Sequence, residues 1–435
     1  MTTPGQPPAS PAPRGEVAGS ALPPGLTALL AELDAFVAVE IDPLEQQDDN
    51  VRFFDHRREF ARTDVEAGGV PRAEWEELLA EVRRRADAAG WLRHGLPAEL
   101  GGRDGSNVDM AVIREHLAHR GLGLHNDLQN EHSVVGNLVV PHLLHLFGTA
   151  EQREEFVEAL ITGERRMSFA LTEPDHGSDA TWMDTRAERD GGDWVLTGRK
   201  RWITGVHTGT HLLVFARTSG RTGEARGISA LLVPADAPGL SVPQFWWTLN
   251  MPTDHGEVVL DGVRVPGSAV LGAEGEGLAV AQTFVHENRI RQAASGVGAA
   301  QFCIDRSVEH ARQRRTFGRP LAERQAIQWP LVELHTEAEL VRTLIRATAA
   351  DLDELTARGE PAVTIGHRVS MCNYRGNRLV CDAADRAMQV HGGMGYSRHL
   401  PFEHIYRHHR RYRITEGSEE IQMRRVAGQL FGFLR

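Results

Sequence analysis

The hydrophobic period of this chain changes twice along its length, and that double change limits the fold more than any other feature. Over residues 26–165 apolar side chains recur at helical spacing, as in Leu29, Leu30, Leu33, Phe36 and Val37, and later Val139, Leu143, Leu144, Leu146 and Phe147. Over residues 166–272 the pattern shortens to β-rich runs, 193-DWVLTG, 211-HLLVFAR, 228-ISALLVPA and 257-EVVLDGVRVP, punctuated by Gly, Pro, Asp and Asn. Over residues 273–435 the helical period returns, in stretches long enough for a bundle. The expected fold class is α+β, mainly α, with a small β domain between two helical ones. Residues 1–25 are rich in Pro, Gly, Ala and Ser with almost no large apolar side chains, and are expected to form a disordered tail.

Composition narrows the function classes. A length of 435 residues with 41% hydrophobic content supports a large core. A formal net charge of -11 opposes a nucleic-acid partner, since phosphate binding draws on clustered Lys and Arg. Cys303, Cys372 and Cys381 form neither an even set nor a C-x-x-C pair, so no disulfide framework or zinc knuckle is indicated and a reducing cytoplasm is expected. There is no apolar run of about eighteen residues and no basic-then-apolar leader, so neither a membrane span nor secretion is expected.

Short constellations carry the chemistry. In 167-MSFALTEPDHGSDA a Gly-Ser-Asp turn exposes hydroxyls and backbone N–H groups; it is also a plain loop entering a β domain. In 198-GRKRWIT the indole of Trp202 and the hydroxyl of Thr204 share one face of a strand, a surface suited to a flat heteroaromatic ligand or to simple packing. The run 312-RQRRTFGRPLAERQAIQ breaks a helical pattern with clustered arginines, which bind phosphate bidentately but also form solvated faces. The turn Gly392-Gly393-Met394-Gly395 follows a helix, allowing close backbone approach or a helix cap, without the order of a Rossmann motif. Finally, Glu416 precedes Gly417 and Ser418 before helical periodicity resumes at Ile421, a position that also suits an N-terminal acid.

Taken together, in this order and at these separations, the motifs resemble the acyl-CoA dehydrogenase family from about residue 27 to the end. The matching patterns are L-T-E-P-x-x-G-S-D, G-x-K-x-W-I-T, R-x-T-F-G, Q-x-x-G-G-x-G-Y and E-G-(T/S)-x-E-I. The resemblance implies an N-terminal helical domain, a central β-barrel or sandwich and a C-terminal four-helix bundle, with FAD between the last two. It implies that Phe169, Leu171, Thr172, Gly177, Ser178, Trp202 and Thr204 hold the isoalloxazine ring and ribityl chain. Arg314, Thr316 and Phe317 of one subunit, with Gln389 and Gly393 of its neighbour, would grip the diphosphate and adenosine, which requires a homo-oligomer, a dimer or tetramer. Ser418 and Glu420 match further cofactor contacts, although Glu420 stands where a neutral Gln is frequent.

The same resemblance makes Glu416 the catalytic base that removes the α-proton of an acyl-CoA or carrier-bound acyl thioester while hydride leaves Cβ for flavin N5. The Glu416 backbone N–H and the flavin 2′-hydroxyl would stabilise the enolate-like oxygen. Arg289 matches an arginine near the active site, and Ser178, Arg289 and Gly417 match positions facing the substrate. An electron-transfer flavoprotein is the implied acceptor. Some relatives place the base on an earlier helix; here that position is Asn288, which cannot serve, and Glu287 beside it would point about 100° away. The stretch 406-YRHHRRYR replaces a usual acidic partner with basic residues. His404, His408 and His409 are expected on a solvated basic face or against CoA phosphates rather than on a metal, and the tryptophans of 246-WWTLNM are expected to pack. Rival readings are a flavin monooxygenase or oxidase, and a nucleic-acid-associated relative of the same fold.

Overall fold

The computed structural model describes residues 22–55, 57–127 and 132–433. Most of the expected disordered tail therefore lies outside the described residues, and the first helix begins at Pro24. The N-terminal helices are α1 (Pro24–Phe36), α2 (Ala73–Ala88), α3 (Asn107–His119), α4 (Val139–Phe147) and α5 (Ala150–Thr162). Two starts are written in the sequence. Ser106 and Asp109 form a reciprocal capping box at α3, with bonds of 3.0 and 3.1 Å, and Thr149 and Gln152 do the same at α5.

The middle of the chain forms β1 (Met167–Ala170), β2 (Arg186–Asp190), β3 (Asp193–Thr204), β4 (His211–Arg217), β5 (Ile228–Pro234), β6 (Leu240–Phe245), β7 (His255–Pro266) and β8 (Val270–Leu271). The order across the sheet is β6-β7-β3-β2-β4-β5-β8, with β1 parallel to β4. The two halves join through the single bridge Arg186–Arg217, and the Arg201 N–H donates 2.9 Å to the Thr172 carbonyl, folding the sheet back on itself. Strand β4 is apolar without interruption because both faces are covered. Leu213 and Phe215 join the core of the N-terminal helices, while Leu212, Val214 and Ala216 fill the β interior.

The C-terminal bundle consists of α6 (Gly277–Gln313), α7 (Gln325–Arg358), α8 (Gly366–His391) and α10 (Glu419–Phe431), with the short α9 (Phe402–Arg410) between the last two. At 37 residues, α6 is about 55 Å long. The segment 295-SGVGAA explains how it packs on two sides at once. Gly296 and Gly298 are about 200° apart around the helix; a Cβ on Gly296 would lie 3.0 Å from the Gly376 carbonyl of α8, and one on Gly298 would lie 2.1 Å from the Glu115 carbonyl of α3. The bundle core consequently extends into the N-terminal domain through Ala111 and Ala118, which helical periodicity alone did not reveal.

Cys303, Cys372 and Cys381 are buried and free, and burial raises all three thiols. Among the described residues no helix is long and apolar enough to cross a membrane.

Candidate active site

Glu416 sits in the loop between α9 and α10 with a left-handed φ of 57°, followed by Gly417 at 89°. For a glutamate this backbone is strained, and neighbours hold it there. Arg289 of α6 donates to the Glu416 carbonyl through Nε (2.9 Å) and Nη2 (2.6 Å), and Gln422 Nε2 donates to the carbonyls of Glu416 and Gly417, 2.9 Å each. Arg289 thus fixes the main chain at Glu416. Burial pulls Arg289 down to about 10, with Arg425 adding to that effect and Glu416 opposing it, so it stays charged at neutral pH.

The carboxylate of Glu416 faces Asn288, whose Nδ2 is 3.5 Å from Oε1. Asn288 Oδ1 accepts from Arg291 (2.6 Å) and Asn137 (3.4 Å), which turns its amide N–H groups toward Glu416. The residue that cannot be a base therefore lies beside the one that can. The loop itself is anchored by Glu419, which is buried at the start of α10 and accepts from Arg378 of α8 (2.5 Å) and from Arg413. Ser418 is the N-cap of α10 and Glu420 is exposed.

A second surface is built on the β domain. Trp202 lies at a bulge, where Gly256 and Val258 of β7 pair with Ile203 and Lys200 of β3, and its φ is 65°. Trp202 and Thr204 are both exposed, on one face, and Trp202 rests on Trp246 at 5.4 Å between ring centroids. Trp246 and Trp247 do pack: the Trp247 indole donates 2.9 Å to the Gly68 carbonyl, docking this segment on the N-terminal domain.

The loop carrying Leu171, Thr172, Gly177 and Ser178 is tied to β3 by a buried ion pair. Lys200, the chain's one lysine, has its Nζ 2.8 Å from Glu173 Oε1 and donates 3.1 Å to the Leu171 carbonyl. Glu173 also accepts from the N–H groups of Asp184 (2.6 Å) and Thr185 (2.9 Å). Burial alone would raise Glu173, but Lys200 and these donors hold it low; burial draws Lys200 down to about 8. Sequence reasoning quoted both residues within motifs without giving them a role, and missed Gln422 and Glu419 altogether.

The two surfaces meet through α6. The Phe169 ring stacks on Phe284 with centroids 4.0 Å apart, and Phe284 lies one helical turn, about 6 Å, before Asn288. The ring of Phe169 is thereby committed to packing, also against Phe215 at 4.8 Å.

At the far end of the bundle, Arg314, Thr316 and Phe317 lie at a short hairpin pairing Arg315–Thr316 with Arg319–Pro320. Phe317 is 96% exposed at a φ of 49°. His310 stacks on His391 at 4.3 Å, which brings this hairpin, Gln389 and Gly393 to the same end of one chain. The expectation assigned the two groups to neighbouring subunits around one cofactor; within a single chain both lie at this end of the bundle.

The models described as acyl-CoA dehydrogenase N-terminal, middle and C-terminal domain match residues 47–164, 168–263 and 275–431. The chain belongs to the acyl-CoA dehydrogenase family. Among relatives, a 3-(aryl)acrylate reductase of Clostridium sporogenes is 31% identical over 86% of this chain and 96% of its own. The acyl-CoA dehydrogenase of Geobacillus kaustophilus has a TM-score of 0.74 at 26% identity, covering 94% of this chain and 99% of its own. A glutaryl-CoA dehydrogenase of Mycobacterium smegmatis in complex with FADH2 has a TM-score of 0.75 at 25% identity, covering 94% and 95%.

One expectation fails within this acyl-CoA dehydrogenase fold. His404, His408 and His409 are not on a solvated face: all three are buried, because the amphipathic α9 turns them inward toward Tyr412. Burial holds His408 well below its usual value and His409 at about 3, so both are neutral. Among the described residues no group of three His, Cys, Asp or Glu is placed to hold a metal.

Proposed function

We propose that this enzyme oxidises the Cα–Cβ bond of an acyl-CoA, or of an acyl group on a carrier protein, to the trans-2-enoyl thioester, with FAD as cofactor and Glu416 as base. The observation that carries the reading is the left-handed Glu416 loop, clamped by Arg289 of α6, the helix whose Phe284 stacks on Phe169. The residues fit a flavin. An indole and a hydroxyl are exposed at Trp202 and Thr204, and at Gly392 and Gly393 an added Cβ would meet no heavy atom within 4 Å, leaving open backbone for a ligand to approach. FAD, when bound, supplies the hydride acceptor. The protein would supply alignment: Leu171, Thr172, Gly177 and Ser178 would border the ring, while Arg314, Thr316 and Phe317 of one subunit, with Gln389 and Gly393 of its neighbour in a homo-oligomer, would hold the diphosphate and adenosine.

Glu416 accepts the α-proton, and its backbone N–H is the chain's own donor to the thioester oxygen as that oxygen gains charge. Closure of the site by substrate strips water from the carboxylate and makes it a stronger base. Arg289 and Gln422 keep the loop from relaxing as the proton moves. By microscopic reversibility the same carboxylate delivers a proton to Cα in the opposite direction, the sense of the reaction named for the C. sporogenes relative. We place the enzyme in the cytoplasm on its three free, buried cysteines, with an electron-transfer flavoprotein as acceptor.

An anaerobic acyl-CoA panel that follows bleaching of flavin absorbance tests this. Glu416→Gln should slow bleaching about a thousandfold on the best substrate. Reduction of the variant at the native rate overturns the assignment of the base.

A further inference from the structure

Beside Thr204 lies a pair that the proposed chemistry leaves unused. Thr204 of β3 and His255 of β7 are cross-strand partners, and His255 Nδ1 is 3.2 Å from Thr204 Oγ1. The same nitrogen is 3.0 Å from Oδ1 of Asp254, a buried residue whose carbonyl accepts 3.0 Å from the Gly205 N–H. Burial alone would lift the Asp254 carboxyl, but His255 and Arg411 more than reverse that, and it is ionised at neutral pH.

An ionised carboxylate only accepts, so a lone pair on Nδ1 would face another lone pair at 3.0 Å; Nδ1 must carry hydrogen, whether the ring is neutral or charged. That one N–H is shared between Asp254 Oδ1 at 3.0 Å and Thr204 Oγ1 at 3.2 Å, so the Thr204 hydroxyl does not donate to Nδ1. The hydroxyl's single proton is left to point outward, over the exposed face that Thr204 shares with Trp202. Trp202, at the bulge, and Thr204 are both exposed there, and β7 places the imidazole directly across from Thr204.

We propose that Asp254 and His255 fix the Thr204 hydroxyl as a one-way donor to the flavin, and thereby favour the oxidised ring. The inference rests on the reading of Trp202 and Thr204 as the flavin face. Ring nitrogens of an oxidised isoalloxazine accept hydrogen bonds; after two-electron reduction some carry hydrogen and must donate. A hydroxyl whose oxygen already receives the His255 proton serves the first state better than the second. His255 and Asp254 are thus positioning residues that act through Thr204.

The test is the midpoint potential of the FAD-loaded protein, measured by anaerobic dye-coupled reduction in wild type, His255→Leu, His255→Asn, Thr204→Val and the His255→Leu/Thr204→Val double variant. In His255→Leu the balance should move toward reduced flavin by about tenfold, an upward shift of about 30 mV for a two-electron couple. His255→Asn, whose Nδ2 takes the place of the ring Nδ1, should stay within about twofold of wild type. In the Thr204→Val background the leucine substitution should add nothing. If His255→Leu does not load FAD, Asp254→Asn carries the same prediction in the same direction, since the amide no longer forces hydrogen onto Nδ1. An unchanged potential in a loaded His255→Leu or Asp254→Asn protein, or a shift that persists without the Thr204 hydroxyl, overturns the proposal. Failure of the wild type itself to take up FAD overturns the flavin reading beneath it.

Discussion

Outside glycine, left-handed backbone occurs at few described positions, and Trp202, Phe317 and Glu416 are three of them. Each such residue costs about 1–3 kcal/mol and persists only where its surroundings insist on it. Around Glu416 those surroundings are visible in the bonds from Arg289 and Gln422. The buried Lys200–Glu173 pair is a different kind of constraint, since leaving either charge alone in the interior is expensive. Lys200→Met should lower unfolding stability by about 3–5 kcal/mol, and Lys200→Met combined with Glu173→Gln should recover part of the loss while keeping an acceptor for Asp184 and Thr185. Urea titration of the two variants checks this; equal losses would contradict it. Glu416, Trp202 and Thr204 were legible because each lies in a short motif with its local geometry. The Lys200–Glu173 pair was not, because its partners are far apart in sequence and its meaning depends on burial. Nor was the direction of the histidines on α9, where a basic run looked solvated until packing against Tyr412 turned it inward.

At the scale of elements, the α–β–α order followed directly from hydrophobic period, while the cover on both faces of the apolar run of β4 emerged only from packing. What periodicity did not convey is how closely α6 approaches its neighbours. Gly298 is the tightest of these contacts, facing main chain rather than a movable side chain. Gly298→Ala should destabilise the protein by about 1–3 kcal/mol through overpacking of α6 on α3. Gly393→Ala faces open space and should leave the stability of the FAD-free protein nearly unchanged while weakening FAD uptake. Thermal melts with and without added FAD separate the two; similar melting losses in both apo variants would contradict the packing described for α6. The join between β1 and α6, Phe169 on Phe284, was likewise invisible in sequence, since nothing local pairs those positions.

Across the whole molecule, four buried histidines share one consequence. Burial holds His125, His286 and His409 at about 3 and His408 well below its usual value, whereas in the unfolded chain each binds a proton near 6.5. The unfolded state therefore binds more protons below about pH 6.5, so stability is fully present above that pH and is lost as pH falls toward the folded values. Each group contributes up to about 1.4 kcal/mol per pH unit in that window. Unfolding free energies should fall steeply between about pH 6.5 and pH 4.5, and His409→Phe should flatten the slope by at most about 1.4 kcal/mol per pH unit; equal stability at both ends would contradict the burial of these rings. Oligomeric assembly was suggested only by resemblance, because nothing in the period or spacing of one chain reports on its neighbours. The most direct test of Glu416 as the base does not depend on flavin turnover. Oxidised enzyme holding an acyl-CoA analogue that cannot lose hydride should exchange its α-hydrogens with deuterium oxide, read by mass spectrometry, and Glu416→Gln should abolish that exchange. Undiminished exchange in the variant would show that another group moves the proton.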